Sequence, residues 1–231
     1  MPDITSNINN LVHDIASMAK NCGRNGDDIK LLAVSKTQSA DAVRQAHAAG
    51  LRAFGENYLQ EALEKIHLLA DLEIEWHFIG AIQTNKTRPI AENFSWAHCI
   101  DREKIARRLS DQRPPHLPPL NLCIQVNIDG EDTKSGVAPA EVAPLATAIA
   151  AMPGLRLRGL MAIPQPQADL QKQRQPFFRL HQLLDTLRAL PGLADLDTLS
   201  MGMSADMEAA IAEGATIVRI GTAIFGARRP L

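Results

Sequence analysis

The sequence contains little cysteine and no large excess of charge of either sign. Its 231 residues include 3 cysteines, and Cys22, Cys99 and Cys123 lie too far apart to form a C-x-x-C pair. This spacing indicates neither a disulfide framework nor a zinc site, so we interpret the cysteines as reduced, mostly buried side chains. The 24 basic and 26 acidic residues give a net charge of −2, which argues against a nucleic-acid or anionic-membrane partner.

Long apolar runs are missing as well. A bilayer-spanning helix needs about 20 apolar residues, whereas runs such as 145–152 are short and rich in alanine. The N-terminal segment MPDITSNINN is polar and lacks the basic and apolar parts of a secretory signal. We therefore expect a cytoplasmic protein without a membrane segment.

The sequence does contain a regular alternation of apolar, β-rich runs with helical patterns. The candidate strands are Lys30–Lys36, Arg52–Asn57, Ile74–Gly80, Phe94–Ile100, Asn121–Asn127, Leu155–Ile163, Thr198–Gly202 and Ile217–Gly221. The helical patterns include Asp3–Asn21, Ala40–Ala49, Leu59–Ala70, Pro139–Met152, Gln175–Leu190 and Ala205–Glu213. Several of these patterns are closed by Gly or Pro, as helix ends usually are.

Eight β/α units predict one α/β domain over residues 1–231, a single (β/α)8 TIM barrel with Asp3–Asn21 as an extra N-terminal helix. An open, doubly wound sheet is the alternative, because periodicity does not prove closure. The Pro-rich segment 113–120 is interpreted as a loop rather than a linker, since the alternation continues across it. In such barrels the functional residues lie at the carboxyl ends of the strands.

Lys36 ends the first predicted strand, in LLAVSKT, where apolar residues deliver its amine to the barrel mouth. Burial lowers the pKa of a lysine, and a neutral amine attacks an aldehyde, so the position suits Schiff-base chemistry. Alone this pattern is weak, because an ordinary solvated lysine at a strand end is the commoner case.

Two glycine-containing segments near the C-terminus are typical of phosphate binding. In LSMGMSADMEAAI, Gly202 and Ser204 precede a helix whose free N–H groups favour an anion, although Ser204 could instead only cap that helix. Gly221 and Thr222 follow the eighth strand, where barrels often bind phosphate. Arg219 shares a strand face with Gly221, and it either faces the ligand or forms an ion pair inside the barrel.

Seven segments, taken in order, carry a family resemblance over nearly the whole chain. They are LLAVSKT, FGENYLQE, WHFIGAIQTNK, NLCIQVNIDGEDTKSG, LRGLMAI, LSMGMSADMEAAI and VRIGTAIFGAR. In these segments the sequence resembles the pyridoxal phosphate homeostasis protein family. The resemblance implies a fold type III barrel like the N-terminal domain of alanine racemase, with pyridoxal 5′-phosphate (PLP) as the cofactor.

The resemblance also assigns roles to individual residues. The family's cofactor-binding positions fall on Lys36 (the internal aldimine), Ser204, Gly221 and Thr222 (the phosphate), Arg219 (the pyridine nitrogen), and Asn57, His77 and Met201 (near the ring). His77 could act as a base or only orient a neighbour through hydrogen bonds. Glu56, beside Asn57, is interpreted as a salt-bridge partner.

The resemblance implies a role in PLP homeostasis, as a store, buffer or carrier without established turnover. An arginine leaves the pyridine nitrogen unprotonated and so weakens the ring as an electron sink. Alanine racemases take a second base, a tyrosine, from an added β-domain, whereas this sequence ends nine residues after Thr222 and has one tyrosine, Tyr58. We therefore expect a monomeric carrier rather than an enzyme, with apo PLP-dependent enzymes as candidate recipients.

Two alternatives stay open at this point. One is a small racemase- or decarboxylase-like PLP enzyme that acts on an amino acid at the same site. The other is a barrel that binds a different phosphorylated metabolite, whose carbonyl Lys36 would attack. Hydrolytic and metal-dependent sites have no support in the sequence, because their characteristic residue orders and spacings are absent.

Overall fold

The computed structural model of the protein describes residues 3–131 and 135–226, in which eight strands alternate with helices. The strands are β1 (Lys30–Val34), β2 (Ala53–Glu56), β3 (Glu75–Phe78), β4 (Trp96–Ile100), β5 (Leu120–Gln125), β6 (Leu155–Met161), β7 (Thr198–Ser200) and β8 (Ile217–Ile220). The helices are α1 (Ile4–Asn21), α2 (Ala40–Ala48), α3 (Leu59–Leu68), α4 (Thr87–Asn93), α5 (Glu103–Gln112), α6 (Pro139–Ala150), α7 (Leu170–Arg188), α8 (Met207–Ala212) and α9 (Thr222–Phe225).

The strands close into one barrel. Each strand pairs with the next along the chain, and β8 pairs with β1 in parallel from Lys30–Ile217 to Ala33–Ile220. The predicted TIM barrel is therefore confirmed, and the open sheet is wrong, because an open sheet would leave β1 and β8 unpaired. The segment 113–119 connects α5 to β5 as a loop, as expected.

Strand alternation decides which side chains enter the barrel. On β8, Ile217 and Arg219 point inward, whereas Val218 and Ile220 pack outward against the helices. The outward layer is the larger apolar core and contains most of the buried leucine, isoleucine and valine side chains. The interior holds a smaller apolar cluster beside several polar side chains.

The observed strands end up to two residues before the predicted ends. The turn that contains Lys36 follows β1, although Ser35 N still donates to Gly55 O at 3.0 Å. Because this hydrogen bond extends the ladder beyond the strand, the residues after it still look β-like in sequence. The start of α7 differs more: the helix begins at Leu170 rather than Gln175, because Asp169 caps it by accepting from Lys172 N.

The extra N-terminal helix is present and covers one side of the barrel. Its buried side chains Ile4, Ile8, Leu11, Ile15 and Ala19 form one stripe at helical spacing. The helix packs against α8 and α9, and Asn7 Nδ2 donates to Ile224 O at 3.0 Å. Within residues 3–131 and 135–226, we find no helix that is both long and apolar enough to span a membrane.

Candidate functional site

A cavity of about 310 Å³ opens at the carboxyl ends of the strands. Six of the nine residues predicted for the cofactor site line it: Lys36, Asn57, Ser204, Arg219, Gly221 and Thr222. Apolar side chains, among them Val34, Ile79 and Met161, complete the wall. Residues that lie almost 190 positions apart in sequence therefore meet in one hollow, because all parallel strands deliver their carboxyl ends to the same mouth.

The Lys36 turn is held in an unusual conformation. Thr37 has a φ of 62°, which a β-branched residue rarely adopts, so contacts from outside the turn must stabilise it. One such contact is the hydrogen bond from Thr37 N to Glu61 Oε1 at 2.6 Å. The side chain of Lys36 is half-buried and reaches the cavity.

A second lysine lies next to this turn but on the outer side of β2. Lys65 is 4% exposed, and its Nζ donates to Ser35 O and Glu56 Oε1 at 2.7 Å and to Glu61 Oε1 at 2.5 Å. Three acceptors match the three N–H bonds of an ammonium group, so Lys65 is a cation and not a nucleophile. Burial raises the pKa of Glu56, while the charge of Lys65 opposes that rise.

Glu56 is therefore a salt-bridge partner, as the sequence predicted. The burial of its partner Lys65 was not predicted from the sequence, because a lysine on an amphipathic helix normally lies in solvent. The only available signal was Glu61 one helical turn before it, a spacing that also occurs on exposed surfaces.

Three buried polar atoms around the turns after β1 and β2 have no hydrogen-bond partner in the described chain. They are Asn57 Oδ1, Thr37 Oγ1 and Glu56 Oε2, and of these three residues only Asn57 lines the cavity. An unsatisfied buried acceptor costs roughly 1–3 kcal/mol, so such an atom in a cavity wall is most simply explained by a ligand that donates to it. Gly80 allows the backbone of Asn57 to approach closely, since a Cβ at position 80 would lie 2.3 Å from Asn57 O.

Arg219 forms the floor of the cavity. It is 5% exposed, and its Nη1 donates to Ser200 O at 2.6 Å and to Ser200 Oγ at 2.9 Å, while Nη2 donates to Ala162 O at 3.0 Å. Among the described residues, no carboxylate oxygen lies within ion-pair distance of it, so the alternative of an internal ion pair does not hold. Burial lowers the pKa of Arg219, but a guanidinium remains charged at neutral pH.

The rim of the cavity carries hydroxyl groups. Ser204 and Thr222 are exposed at the rim, and Gly221 immediately precedes α9. Ser204 is not the cap of α8, because that helix starts at Met207 and its N-cap is Asp206. Its hydroxyl is thus placed at the cavity without a capping role.

Three predicted residues do not line the cavity. Gly202 is buried behind it with a φ of 92°, and a Cβ there would lie 2.5 Å from Ala210 Cβ. Met201 is fully buried in the layer between strands and helices, because alternation along the chain turns Ser200 inward and Met201 outward. His77 is fully buried deeper in the barrel, where it contacts Glu75 and His98.

Comparison with known proteins identifies the family of this chain. The family model for the alanine racemase N-terminal domain matches residues 6–229. The pyridoxal phosphate homeostasis protein of Pseudomonas aeruginosa is 60% identical to this chain, and that of Escherichia coli K12 is 52% identical. Both alignments cover 99% of this chain, and they cover 97% and 98% of the two relatives, respectively.

A solved structure supports the same family assignment. PipY of Synechococcus elongatus, determined with PLP bound, superposes with a TM-score of 0.80 at 34% identity, covering 92% of this chain and 100% of PipY. The sequence resemblance is thus confirmed over nearly the full length of both chains. The chain belongs to the pyridoxal phosphate homeostasis protein family, within the wider alanine racemase N-terminal domain family.

Proposed function

We propose that the protein binds PLP covalently through Lys36 and acts in PLP homeostasis by holding the cofactor in a form that can be released. The observation that carries the proposal is the convergence of Lys36, Arg219 and the hydroxyls of Ser204 and Thr222 on one cavity. PLP supplies the aldehyde with which the Lys36 amine condenses, with loss of water.

Each end of PLP finds a chemically suitable partner in this arrangement. Arg219 offers N–H donors to the pyridine nitrogen at the floor, and Ser204, Gly221 and Thr222 offer hydroxyl and backbone donors to the phosphate at the rim. Asn57 Oδ1, an acceptor without a partner in the described chain, suits the ring hydroxyl. The bound PLP in PipY, a relative of the same family, supports the same choice of ligand.

The lining of the cavity favours a carrier over an enzyme. In the parts of the chain that the structure describes, the cavity wall contains no carboxylate, histidine or tyrosine, so Lys36 is its only side chain suited to proton transfer at neutral pH. Racemisation by two bases needs a second such group on the opposite face of the substrate. The exposed positions of Ser204 and Thr222 leave the phosphate end accessible, which suits release to another protein.

The test of covalent binding uses purified protein loaded with PLP. Borohydride reduction followed by peptide mass mapping is expected to place the cofactor on Lys36, and Lys36→Ala is expected to abolish the Schiff-base absorbance. Lys65→Arg, which keeps a buried cation beside the same turn, is the matched control and should retain that absorbance. Unchanged absorbance in Lys36→Ala would refute the proposal.

A second measurement separates the carrier from the enzyme. Loaded protein is incubated with individual amino acids in deuterium oxide, and exchange of the Cα proton is followed by NMR. A carrier should give no sustained exchange, whereas many turnovers per protein would support the racemase-like alternative. PLP transfer to an apo-enzyme faster than spontaneous dissociation would further support direct delivery.

A further inference from the structure

A continuous chain of hydrogen bonds crosses the interior of the barrel from one mouth to the other. Arg219 Nη1 lies 2.9 Å from Ser200 Oγ, which lies 2.8 Å from His98 Nδ1. His98 Nε2 lies 2.9 Å from His77 Nδ1, and His77 Nε2 lies 2.8 Å from Glu75 Oε1. We refer to these five residues as the interior relay.

The end groups of the relay fix its direction. An ionised Glu75 only accepts, so a neutral His77 must donate from Nε2 and accept at Nδ1. His98 then donates from Nε2 to His77, and its own Nδ1 must accept from the Ser200 hydroxyl. Ser200 Oγ in turn accepts from Arg219, which can only donate. Each bond therefore has one donor and one acceptor when both imidazoles carry their proton on Nε2.

The surroundings favour this protonation state. Burial lowers the pKa of His77 against the opposing effect of Glu75, and burial together with nearby positive charge lowers the pKa of His98 well below its usual range. Burial opposes ionisation of Glu75, but its bonds to His77 and Lys30 outweigh burial and lower its pKa to about 2. Glu75 is therefore ionised, and both histidines are neutral, at neutral pH.

The other groups around the relay do not change the protonation states of its two histidines. Trp96 stacks on His77 with ring centroids 5.2 Å apart. Burial raises the pKa values of Cys99 and Cys123, so both thiols are neutral. The charge of Arg158 is paired with Asp197. Lys30, which is paired with Glu75, is the charged group at the Glu75 end of the relay that acts on both histidines, and it lowers the pKa of each.

We propose that Ser200, His98, His77 and Glu75 are positioning residues that fix Arg219 against the pyridine nitrogen of PLP. The inference rests on the proposed function, because it takes PLP as the ligand above Arg219. Ser200 occupies both hydrogens of Nη1 through its carbonyl and hydroxyl, and Ala162 O takes one hydrogen of Nη2. The Nε–H and the second Nη2 hydrogen, for which no described residue provides an acceptor, are left for the cofactor.

The direction of the relay has a chemical consequence. All its hydrogens point away from the cavity and toward Glu75. Delivery of a proton to the ring nitrogen would require every bond to reverse and Glu75 to be protonated, although its pKa is about 2. The ring nitrogen therefore accepts a hydrogen bond without gaining a proton, and an unprotonated ring is a poor electron sink. The relay thus suits a protein that stores PLP.

The direction can be tested in wild-type protein without cofactor. Two-bond proton–nitrogen correlation NMR on ¹⁵N-labelled protein distinguishes histidine tautomers, and His77→Phe and His98→Phe assign the two signals. Both rings are expected to show a protonated Nε2 and an unprotonated Nδ1. A proton on Nδ1 of either ring would overturn the relay, whether or not the protein binds PLP.

The positioning role is tested with PLP that carries ¹⁵N in its pyridine ring. In loaded wild type, the ring-nitrogen signal should be that of an unprotonated, hydrogen-bonded nitrogen. Ser200→Ala deletes only the hydroxyl link, and it should shift this signal and weaken PLP binding about tenfold. Thr198→Val is the matched control, because it removes another buried hydroxyl of β7 that bonds to Asp197 outside the relay.

The outcomes separate this inference from the proposed function. If wild type does not bind PLP, the proposed function fails, and the tautomer measurement still decides whether the relay exists. If Ser200→Ala and His98→Phe both fold and bind PLP with the signal and affinity of Thr198→Val, the positioning role is wrong. Should His98→Phe not fold, Ser200→Ala decides the question alone, since it removes a single buried oxygen.

Discussion

The two mouths of the barrel differ in a way that volume does not reveal. The hollow at the amino ends of the strands measures about 530 Å³, larger than the cavity of about 310 Å³ at the carboxyl ends. At the amino end the charged groups have partners: Lys30 pairs with Glu75 at 2.5 Å, and Arg52 donates to two backbone carbonyls. The buried Trp96 Nε1, at the start of β4, has no partner in the described chain. At the carboxyl end Asn57 Oδ1, Thr37 Oγ1 and Glu56 Oε2 lack partners in the described chain, and Asn57 lines the cavity.

An unsatisfied polar atom in the wall of a hollow therefore identifies a binding site better than the volume of the hollow does. A fold tolerates a buried acceptor without a partner only where something else compensates for it, and a ligand is one such compensation. None of the described residues that line the larger hollow has such an atom, since Trp96 does not line it. We therefore expect substitutions at the two mouths to have different effects even where the residue types match.

The largest difference is expected between the two paired lysines. Lys65→Met leaves Glu56 buried without its cation and should lower the free energy of unfolding by about 3–5 kcal/mol at pH 8. Lys30→Met breaks a half-exposed pair at the other mouth and should cost less than about 1 kcal/mol. Urea denaturation of both variants measures the loss in free energy of unfolding. Equal losses would contradict the expected difference between the two mouths.

A control for this comparison removes the buried charge of Glu56 instead of leaving it unpaired. Lys65→Met combined with Glu56→Gln should recover part of the lost stability, because the remaining amide is cheaper to bury than an unpaired carboxylate. If the double variant were no more stable than Lys65→Met, the cost would come from lost packing rather than from charge.

A smaller effect is expected at two glycines with positive φ. Gly202→Ala combines a φ of 92° with a Cβ only 2.5 Å from Ala210 Cβ, so it should cost about 2–3 kcal/mol and also weaken PLP binding. Gly192→Ala, in the loop that leads to the amino end of β7, has a φ of 79° but open space around it. It should cost only about 1 kcal/mol, with unchanged PLP affinity in a fluorescence titration.

The smallest effect concerns the relay that joins the mouths. His98 is neutral in the fold because its pKa lies well below 6.5, whereas in the unfolded chain it binds a proton below that pH. The unfolded state then binds more protons, so stability falls as pH drops below 6.5, by up to about 1.4 kcal/mol per pH unit. Urea midpoints at pH 7.5 and 5.5 measure this fall.

The matched control for the pH effect is His13→Asn, because His13 lies on the exposed face of α1. It should leave the pH dependence unchanged, whereas His98→Asn should reduce it. A wild-type midpoint that stays constant between pH 7.5 and 5.5 would contradict the neutral state of His98.

Much of the fold and part of the site could be predicted from sequence. The β/α alternation predicted all eight strands, because each buried parallel strand leaves a local apolar run. Lys36, Asn57 and Arg219 were predicted to share a mouth, since each lies at or near the carboxyl end of a strand. Closure required the observed pairing of β1 with β8, a contact between the two ends of the chain.

The interior relay could not be predicted in the same way. Alternation indicates that His77 and His98 face inward, but it does not indicate which inward side chains meet across the barrel. That depends on the stagger of the strands, which brings His98 to Ser200 although they are 102 residues apart. The buried Lys65 was missed for a related reason, because its burial depends on how α3 docks and not on its own sequence.

The order in which the site is assembled follows from the pairing of β1 with β8 and from the bond between Asn7 and Ile224. A ribosome that has made the first 200 residues has supplied Lys36 and Asn57, but neither Arg219 nor the strand that closes the barrel. A nascent chain of that length has the Lys36 amine without Arg219 at the floor of the cavity or Ser204 and Thr222 at its rim. Under the proposed function, stable capture of PLP requires β8 and the residues that flank it, so a bound cofactor would report that the barrel has closed.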